Sequence, residues 1–348
     1  MKRILLTALA AMFLLTSCGG ADNNPETPTE TPAQTSEPAT DTILDYFPIR
    51  TNTNYHYESP ANPELTQDIY VTYTGGSRVQ RRAASDKVSS TEVLQYQNGE
   101  LKLVYGEPNF YFYEDLTAVE PILDMLLLKE PLEQGRKWSL DAAGESEITG
   151  LDINVSTPSG DYSALEVATV FTDGRRQKEY YAKGAGLVKT VYTMPDNSTF
   201  EIDLASITEQ ASLIVPVDFF YPDAGSETGY GKEEREVTLN TNSGLASIFT
   251  EQMKAAGASG YVWLPGETRV NSIDVDRVNN LITVDLSDNN GVGTEEGLRM
   301  IADTLGHFYG ASKVRPTVNG GDYTAAGKTY GQEDFITVTV EADQAVIN

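Results

Sequence analysis

Val93-Leu94-Gln95-Tyr96-Gln97-Asn98-Gly99-Glu100-Leu101-Lys102-Leu103-Val104-Tyr105 alternates apolar and polar side chains on both sides of one Asn-Gly pair. A period of two places every second side chain on one face of a strand. Asn-Gly tolerates the positive φ that a two-residue hairpin turn needs. The stretch therefore predicts two antiparallel strands and sets the pattern for its surroundings.

Outward from it, the same period runs from Ile43 to about Thr208. Asp68-Ile69-Tyr70-Val71-Thr72-Tyr73 alternates, and Tyr55-His56-Tyr57 falls in a first strand. Further strands are predicted at 109–113, 137–140, 145–157, 163–172, 177–182, 186–193 and 198–204. Pro158-Ser159-Gly160-Asp161, Asp173-Gly174 and Pro195-Asp196-Asn197 supply turn chemistry between them. Regularly spaced strands with short turns predict an all-β domain over 43–210, an antiparallel meander closing as a sandwich or an open barrel. One helix is expected near Val119 to Leu128, over an end or edge of the sheet.

Beyond residue 211 the pattern becomes mixed. Leu213 to Pro222 reads as a buried strand, and Gly225 to Glu234 as a polar loop. Leu245, Ile248, Phe249 and Met253 share one helical face. Arg269–Asp276 and Leu281–Leu286 form a predicted hairpin. Thr294 caps a second helix whose first turn carries Glu295 and Glu296, favourable for the helix dipole. Leu298, Ile301, Ala302, Leu305 and Phe308 form its apolar stripe. Lys313–Val318 and Asp334–Val340 would be the closing strands. That order predicts an α+β domain over 211–348, two helices on one face of a small sheet.

Several strings of this second domain resemble the GerMN (sporulation and spore germination) family. Val215 to Asp223 is similar to its opening strand, and Leu264-Pro265-Gly266-Glu267 to its lead-in to the central hairpin. Leu281-Ile282-Thr283-Val284-Asp285-Leu286-Ser287 looks like its most typical string. Leu298 to Leu305 resembles the helix that follows, and Val314 to Gly320 its last strand and turn. Lys254 to Val262 departs from the family pattern. The resemblance implies a ring-building-motif type of fold, two helices against three strands. It also implies extracytoplasmic lipoproteins that use the domain as a non-catalytic assembly module, with envelope or sporulation proteins as partners. The first domain resembles uncharacterised β domains of such lipoproteins, notably over Glu179 to Lys189.

The N-terminus points the same way. Met1-Lys2-Arg3 precedes an apolar run from Ile4 to Leu15. At twelve residues it is shorter than the roughly 20 that span a bilayer, so it reads as a secretory signal peptide over 1–17. Leu15-Thr16-Ser17-Cys18 resembles a bacterial lipobox, which implies cleavage before Cys18 and lipid on its thiol. Cys18 is the chain's one cysteine, so the lipidated protein is expected to have no thiol left for disulfides, metal or nucleophilic catalysis. Residues 18–42, rich in Thr, Pro, Glu and Ala, read as a disordered tether. Drawn out, such a tether would reach roughly 70 Å.

A formal charge of −26 opposes binding to nucleic acid and to anionic lipid. Either histidine could serve a triad as its base, but His56 falls between Tyr55 and Tyr57 of a strand and His307 at a helix end where a cation suits the dipole, so both read as structural, and no carboxylates stand at zinc-site spacing with them. Asp285, Ser287, Asn289 and Glu296 fall at EF-hand spacings, but Asn290 stands where the loop's glycine belongs, and Glu296 is accounted for by the helix start. Neither Gly184-Ala185-Gly186 nor Gly291-Val292-Gly293 has the context of a phosphate loop. Tyr105, Phe110, Tyr111, Phe112 and Tyr113 read as packing first and as a ligand platform second. Glu233-Glu234 reads as a solvated face. The expectation is a protein with no catalytic residues, no cofactor and no metal, with Cys18 as its one assignable site. The competing expectation is that the β-rich domain holds a lipid, glycan or peptide ligand.

Overall fold

In the computed structural model, which describes residues 41–85, 88–110, 113–289 and 292–340, the β-rich half is a single twelve-stranded antiparallel sheet. Its strands are β1 (Thr53–Glu58), β2 (Gln67–Gly75), β3 (Arg78–Ala84), β4 (Ser89–Gln97), β5 (Glu100–Glu107), β6 (Met125–Lys129), β7 (Lys137–Ser139), β8 (Gly144–Thr157), β9 (Gly160–Phe171), β10 (Arg176–Ala182), β11 (Gly186–Thr193) and β12 (Thr199–Glu209). The spatial order is β6-β5-β4-β3-β2-β1-β12-β11-β10-β9-β8-β7. Every ladder inside the two six-strand runs joins neighbours in sequence. The two runs meet where β1 pairs with β12, Thr53 opposite Glu209.

The two free edges, β6 and β7, are consecutive in the chain, so the sheet curls into an open barrel. Trp138, 5% exposed, spans the seam, its indole Nε1 donating to the Leu126 carbonyl at 3.1 Å. The expected hairpin is present: Gln97 pairs with Glu100 around Asn98 at φ 54° and Gly99 at φ 71°. A short helix α1 (Ile43–Tyr46) and Phe47 close one end of the barrel. The Ile43 amide donates to Glu130 Oε1 at 2.8 Å, and the Gly184 amide to the Asp45 carbonyl at 2.8 Å.

Three local expectations are corrected. Residues 119–128 are not a helix: they are turns followed by β6, which pairs Leu101 with Leu128. Residues 109–113 form no strand in their described part. β3, with three arginines in seven residues, was not foreseen as a strand.

The α+β half comprises the hairpin β13 (Leu213–Pro222) and β14 (Tyr230–Leu239), helix α2 (Leu245–Lys254), the hairpin β15 (Val270–Asp276) and β16 (Leu281–Leu286), and helix α3 (Glu295–Tyr309). Then come β17 (Lys313–Val318), β18 (Gly321–Ala325), β19 (Lys328–Tyr330) and β20 (Ile336–Thr337). β15, β16 and β17 form the central sheet with β16 and β17 parallel; β18, β19 and β20 extend it beyond the three strands expected. β14 occupies much of the stretch read as a polar loop. The 334–340 segment pairs with β17 only through Thr337 and Ile336.

The helices form as expected. The Thr294 hydroxyl accepts from the Gly297 amide at 3.0 Å, and Gly310 ends α3 in a left-handed conformation at φ 63°. Leu298, Ile301 and Leu305 of α3 and Phe249 and Met253 of α2 are buried with Trp263, Phe219, Ile282 and Val284 in one core. Trp263 anchors it: its Nε1 donates to the Phe220 carbonyl at 2.5 Å, and its ring meets Phe219 edge-on at 5.4 Å.

The described residues from Asp41 to Val340 form one compact unit. Tyr70, 2% exposed on the outer face of β2, donates its hydroxyl to the Ala211 carbonyl at 3.1 Å. Asn52 and Thr241 exchange two hydrogen bonds of 2.8 Å. Arg277 reaches Glu107 through two bonds of 2.8 and 2.7 Å and lies over the Phe110 ring. Tyr113 stacks on Phe308 of α3 at 5.8 Å.

Candidate functional site: the barrel lumen

Period two sends alternate residues inward, and along β3 the inward phase reads Val79, Arg81, Ala83. Along β4 it reads Ser90, Glu92, Leu94, and along β10 Gln177, Glu179, Tyr181. These residues, except Val79, line one cavity of about 340 Å³, together with Tyr57 of β1, Ile69 of β2, Leu103 of β5 and Tyr192 of β11. Phe47, Tyr57 and Arg81 also border a smaller void of about 30 Å³ on the α1 side. The larger cavity lies towards the opposite end, where its lining includes Met125, 42% exposed.

Most of the wall is apolar or aromatic, and three charged groups stand in it. Arg81 Nη2 donates to Glu92 Oε2 at 2.7 Å, and its guanidinium lies 5.2 Å from the centre of the Phe47 ring. The Arg81 Nε is buried and unpartnered. β10 stands across the lumen from β3, and on it Glu179 lies between Gln177 and Tyr181. Burial pushes the Glu179 carboxyl up from 4.5 to about 7, against the pull of the Tyr181 and Gln177 side chains and of Arg81. Burial likewise raises Tyr192 to about 12 and Tyr181 well above the usual phenol range, with Glu179 adding to both. Among the described residues no cation lies within ion-pair distance of Glu179.

This constellation was not read from sequence. Its members come from strands about a hundred residues apart, and only the strand register brings them together. The available signal was a charged residue standing in the inward phase: Val79-x-Arg81-x-Ala83 and Gln177-x-Glu179-x-Tyr181.

The residues singled out by sequence fall elsewhere. Cys18, the signal peptide and all but the last two residues of the tether lie outside the described residues. His56 is on the outside of the barrel, 3.0 Å from Asp68 and 3.5 Å from Glu58. His307 ends α3, against Phe220 and 4.0 Å from Asp218. The two histidines are thus in different halves. Asp285 accepts from the Gly320 amide and the Thr317 hydroxyl, both at 2.8 Å, and from the Asn271 amide, so its oxygens tie β16 to β17 and to the turn between β17 and β18. Asn290 and Gly291 lie outside the described residues, and among those described no cluster of three metal-ligating side chains occurs. Phe110, 1% exposed, is core and Tyr113 packs on α3; Tyr111 and Phe112 lie outside the described residues. Glu233 is no solvated loop residue: it pairs with Arg235 in β14, whose guanidinium covers the Phe219 and Trp263 rings.

No curated protein matches the chain. A Bacteroides fragilis protein described as exported and as having a YmcC-like fold is 14% identical over 47% of this chain and 99% of its own, with a TM-score of 0.33. A Parabacteroides distasonis protein described as a lipoprotein is 15% identical over 47% of this chain and 98% of its own, with a TM-score of 0.26. The tandem GerMN domains of the sporulation protein GerM from Bacillus subtilis are 17% identical, covering 38% of this chain and 47% of that one, with a TM-score of 0.27. Over residues 218–324, from β13 to β18, the chain matches the Germane family, described as sporulation and spore germination.

Proposed function

We propose that this chain is a non-enzymatic lipoprotein, anchored through Cys18 to the outer face of the cell membrane, whose Germane-like half assembles with other envelope proteins in sporulation or germination. The match over 218–324 carries this reading. The interior of that half is filled by packed side chains, so a protein partner would meet it from outside. The joint through Arg277, Asn52 and Tyr70 would hold the barrel in a fixed place in any such assembly. The anchor rests on residues 1–18, and no helix among the described residues is long and apolar enough to cross a membrane.

Crosslinking the lipidated chain in its own cells tests the assembly. Recovery of the same one or two envelope proteins, lost when residues 211–348 are removed from a chain whose barrel still shows its β spectrum, is expected. Recovery of none would refute it. Cys18→Ala should move the protein out of the membrane fraction, and an unchanged fraction would sink the anchor. We assign no reaction; a hydrolytic activity abolished by replacing His56 and His307 together would overturn that.

The lumen favours a second reading for the barrel, that of a ligand-binding module. Its roughly 340 Å³ sits at the low end of small-molecule sites, which span about 300–1,000 Å³.

A further inference from the structure

We propose that the barrel lumen binds a small organic cation with an apolar body, its ammonium group against the Glu179 carboxylate and its hydrocarbon among Ile69, Leu94, Leu103 and Leu187. This rests on the reading of the barrel as a binding module and names what it takes.

Charge bookkeeping inside the cavity decides the sign. Three charged side chains line it: Arg81, Glu92 and Glu179. Arg81 is already engaged, by Glu92 at 2.7 Å on one side and by the Phe47 ring on the other. Glu179 is flanked on its own strand by neutral groups, Gln177 and Tyr181, and makes no ion pair among the described residues. A desolvated carboxylate without a cation is costly, and a counter-ion entering the site removes that cost. An anion would find one guanidinium, already sharing its Nη2 with Glu92, against two carboxylates.

The wall decides the rest. A bare inorganic cation would want a shell of oxygen ligands, whereas around Glu179 stand the phenol rings of Tyr57, Tyr181 and Tyr192 and, further along the lumen, Ile69, Leu94, Leu103 and Leu187, which favour an ammonium group carrying apolar substituents. The cavity holds the volume of about ten waters at roughly 30 Å³ each, which fits a chain of six to ten heavy atoms and excludes a full two-chain lipid.

The groups facing Glu179 are Arg81 on β3, Glu92 on β4, Tyr57 on β1, Gln177 and Tyr181 on β10 and Tyr192 on β11. A cation binds the ionised acid, so affinity rises with pH as Glu179 ionises. With its carboxyl near 7, the ionised fraction grows about thirtyfold between pH 5.5 and pH 8, which bounds the gain.

The test is calorimetric titration of the chain lacking residues 1–40 with octylammonium, octanoate and 1-octanol at pH 5.5 and pH 8. Octylammonium should bind at least about tenfold more tightly than octanol at pH 8, should weaken at pH 5.5, and octanoate should not bind. Glu179→Gln should cost octylammonium about tenfold or more and leave octanol unchanged. Glu179→Asp, which keeps the charge, should retain most of the affinity. Tighter binding of octanoate or octanol would overturn the cation assignment and keep the lumen as a binding site. Binding of none of the three would overturn the binding module itself. Octylammonium binding indifferent to Glu179→Gln would overturn the location.

Discussion

Replacing Glu179 by Gln should stabilise the protein by an amount that grows as pH rises from about 4.5 and levels off above 7. In the folded chain the carboxyl titrates near 7, and in the unfolded chain near its ordinary 4.5. Below pH 4.5 both states are protonated and the acid contributes no pH-dependent penalty. Between 4.5 and 7 unfolding releases its proton, so stability falls as pH rises; above 7 the penalty is constant. A displacement of that size is worth about 3 kcal/mol. The acid borders a cavity that water can enter, so about 3 kcal/mol is an upper bound and about 1–3 is expected. Gln has nearly the same shape and never ionises. For a folded unit of this size, that gain raises the melting temperature by about 2–5 °C. The assay is thermal unfolding of both chains at pH 4 and pH 8.5. The variant should match the parent at pH 4 and exceed it at pH 8.5. An equal offset at both pH values, or a variant less stable at pH 8.5, would refute the picture of a desolvated lumen acid.

Gly306→Ala should destabilise despite alanine's better helix propensity, because a Cβ there overlaps Val338 and lies 3.0 Å from the Ala311 carbonyl oxygen; a net loss of about 1–2 kcal/mol is expected in denaturant titration. Thr294→Ala removes the acceptor for the Gly297 amide and should cost about 1 kcal/mol, read the same way. Arg277→Ala leaves Glu107 and the half-buried Glu114 without their cation. Since Arg277 is 31% exposed, the loss should be about 1–2 kcal/mol and should shrink as salt is added.

The architecture was largely legible, because alternation and turn residues act locally. Asn98-Gly99 named its hairpin, and Thr294 with Glu295 and Glu296 named the start of α3. The misreadings share a cause. Val119 to Leu128 carries an apolar run short enough for either period, and only pairing with β5 decides for strand. Gly231-Lys232-Glu233-Glu234-Arg235 looks solvated because composition cannot reveal that Glu233 and Arg235 neutralise each other over aromatic rings. Arg78 to Ala84 looks too basic for a strand with an inward face, yet Arg81 is held inside by Glu92. The lumen itself was illegible for the same reason: a charged residue in an apolar phase gains a partner only through register.

The β1–β12 ladder has a consequence for how the chain reaches its fold. Every other pairing in the barrel joins strands consecutive in sequence, so each run of six can zip up from local hairpins, with little loop entropy to overcome. β1 must wait for a partner that begins about 140 residues later. A chain emerging N-terminus first therefore holds β1 as a bare edge until nearly the whole barrel has been delivered, and a bare edge invites pairing with another chain. The moment of greatest exposure to aggregation is set by the register of one ladder.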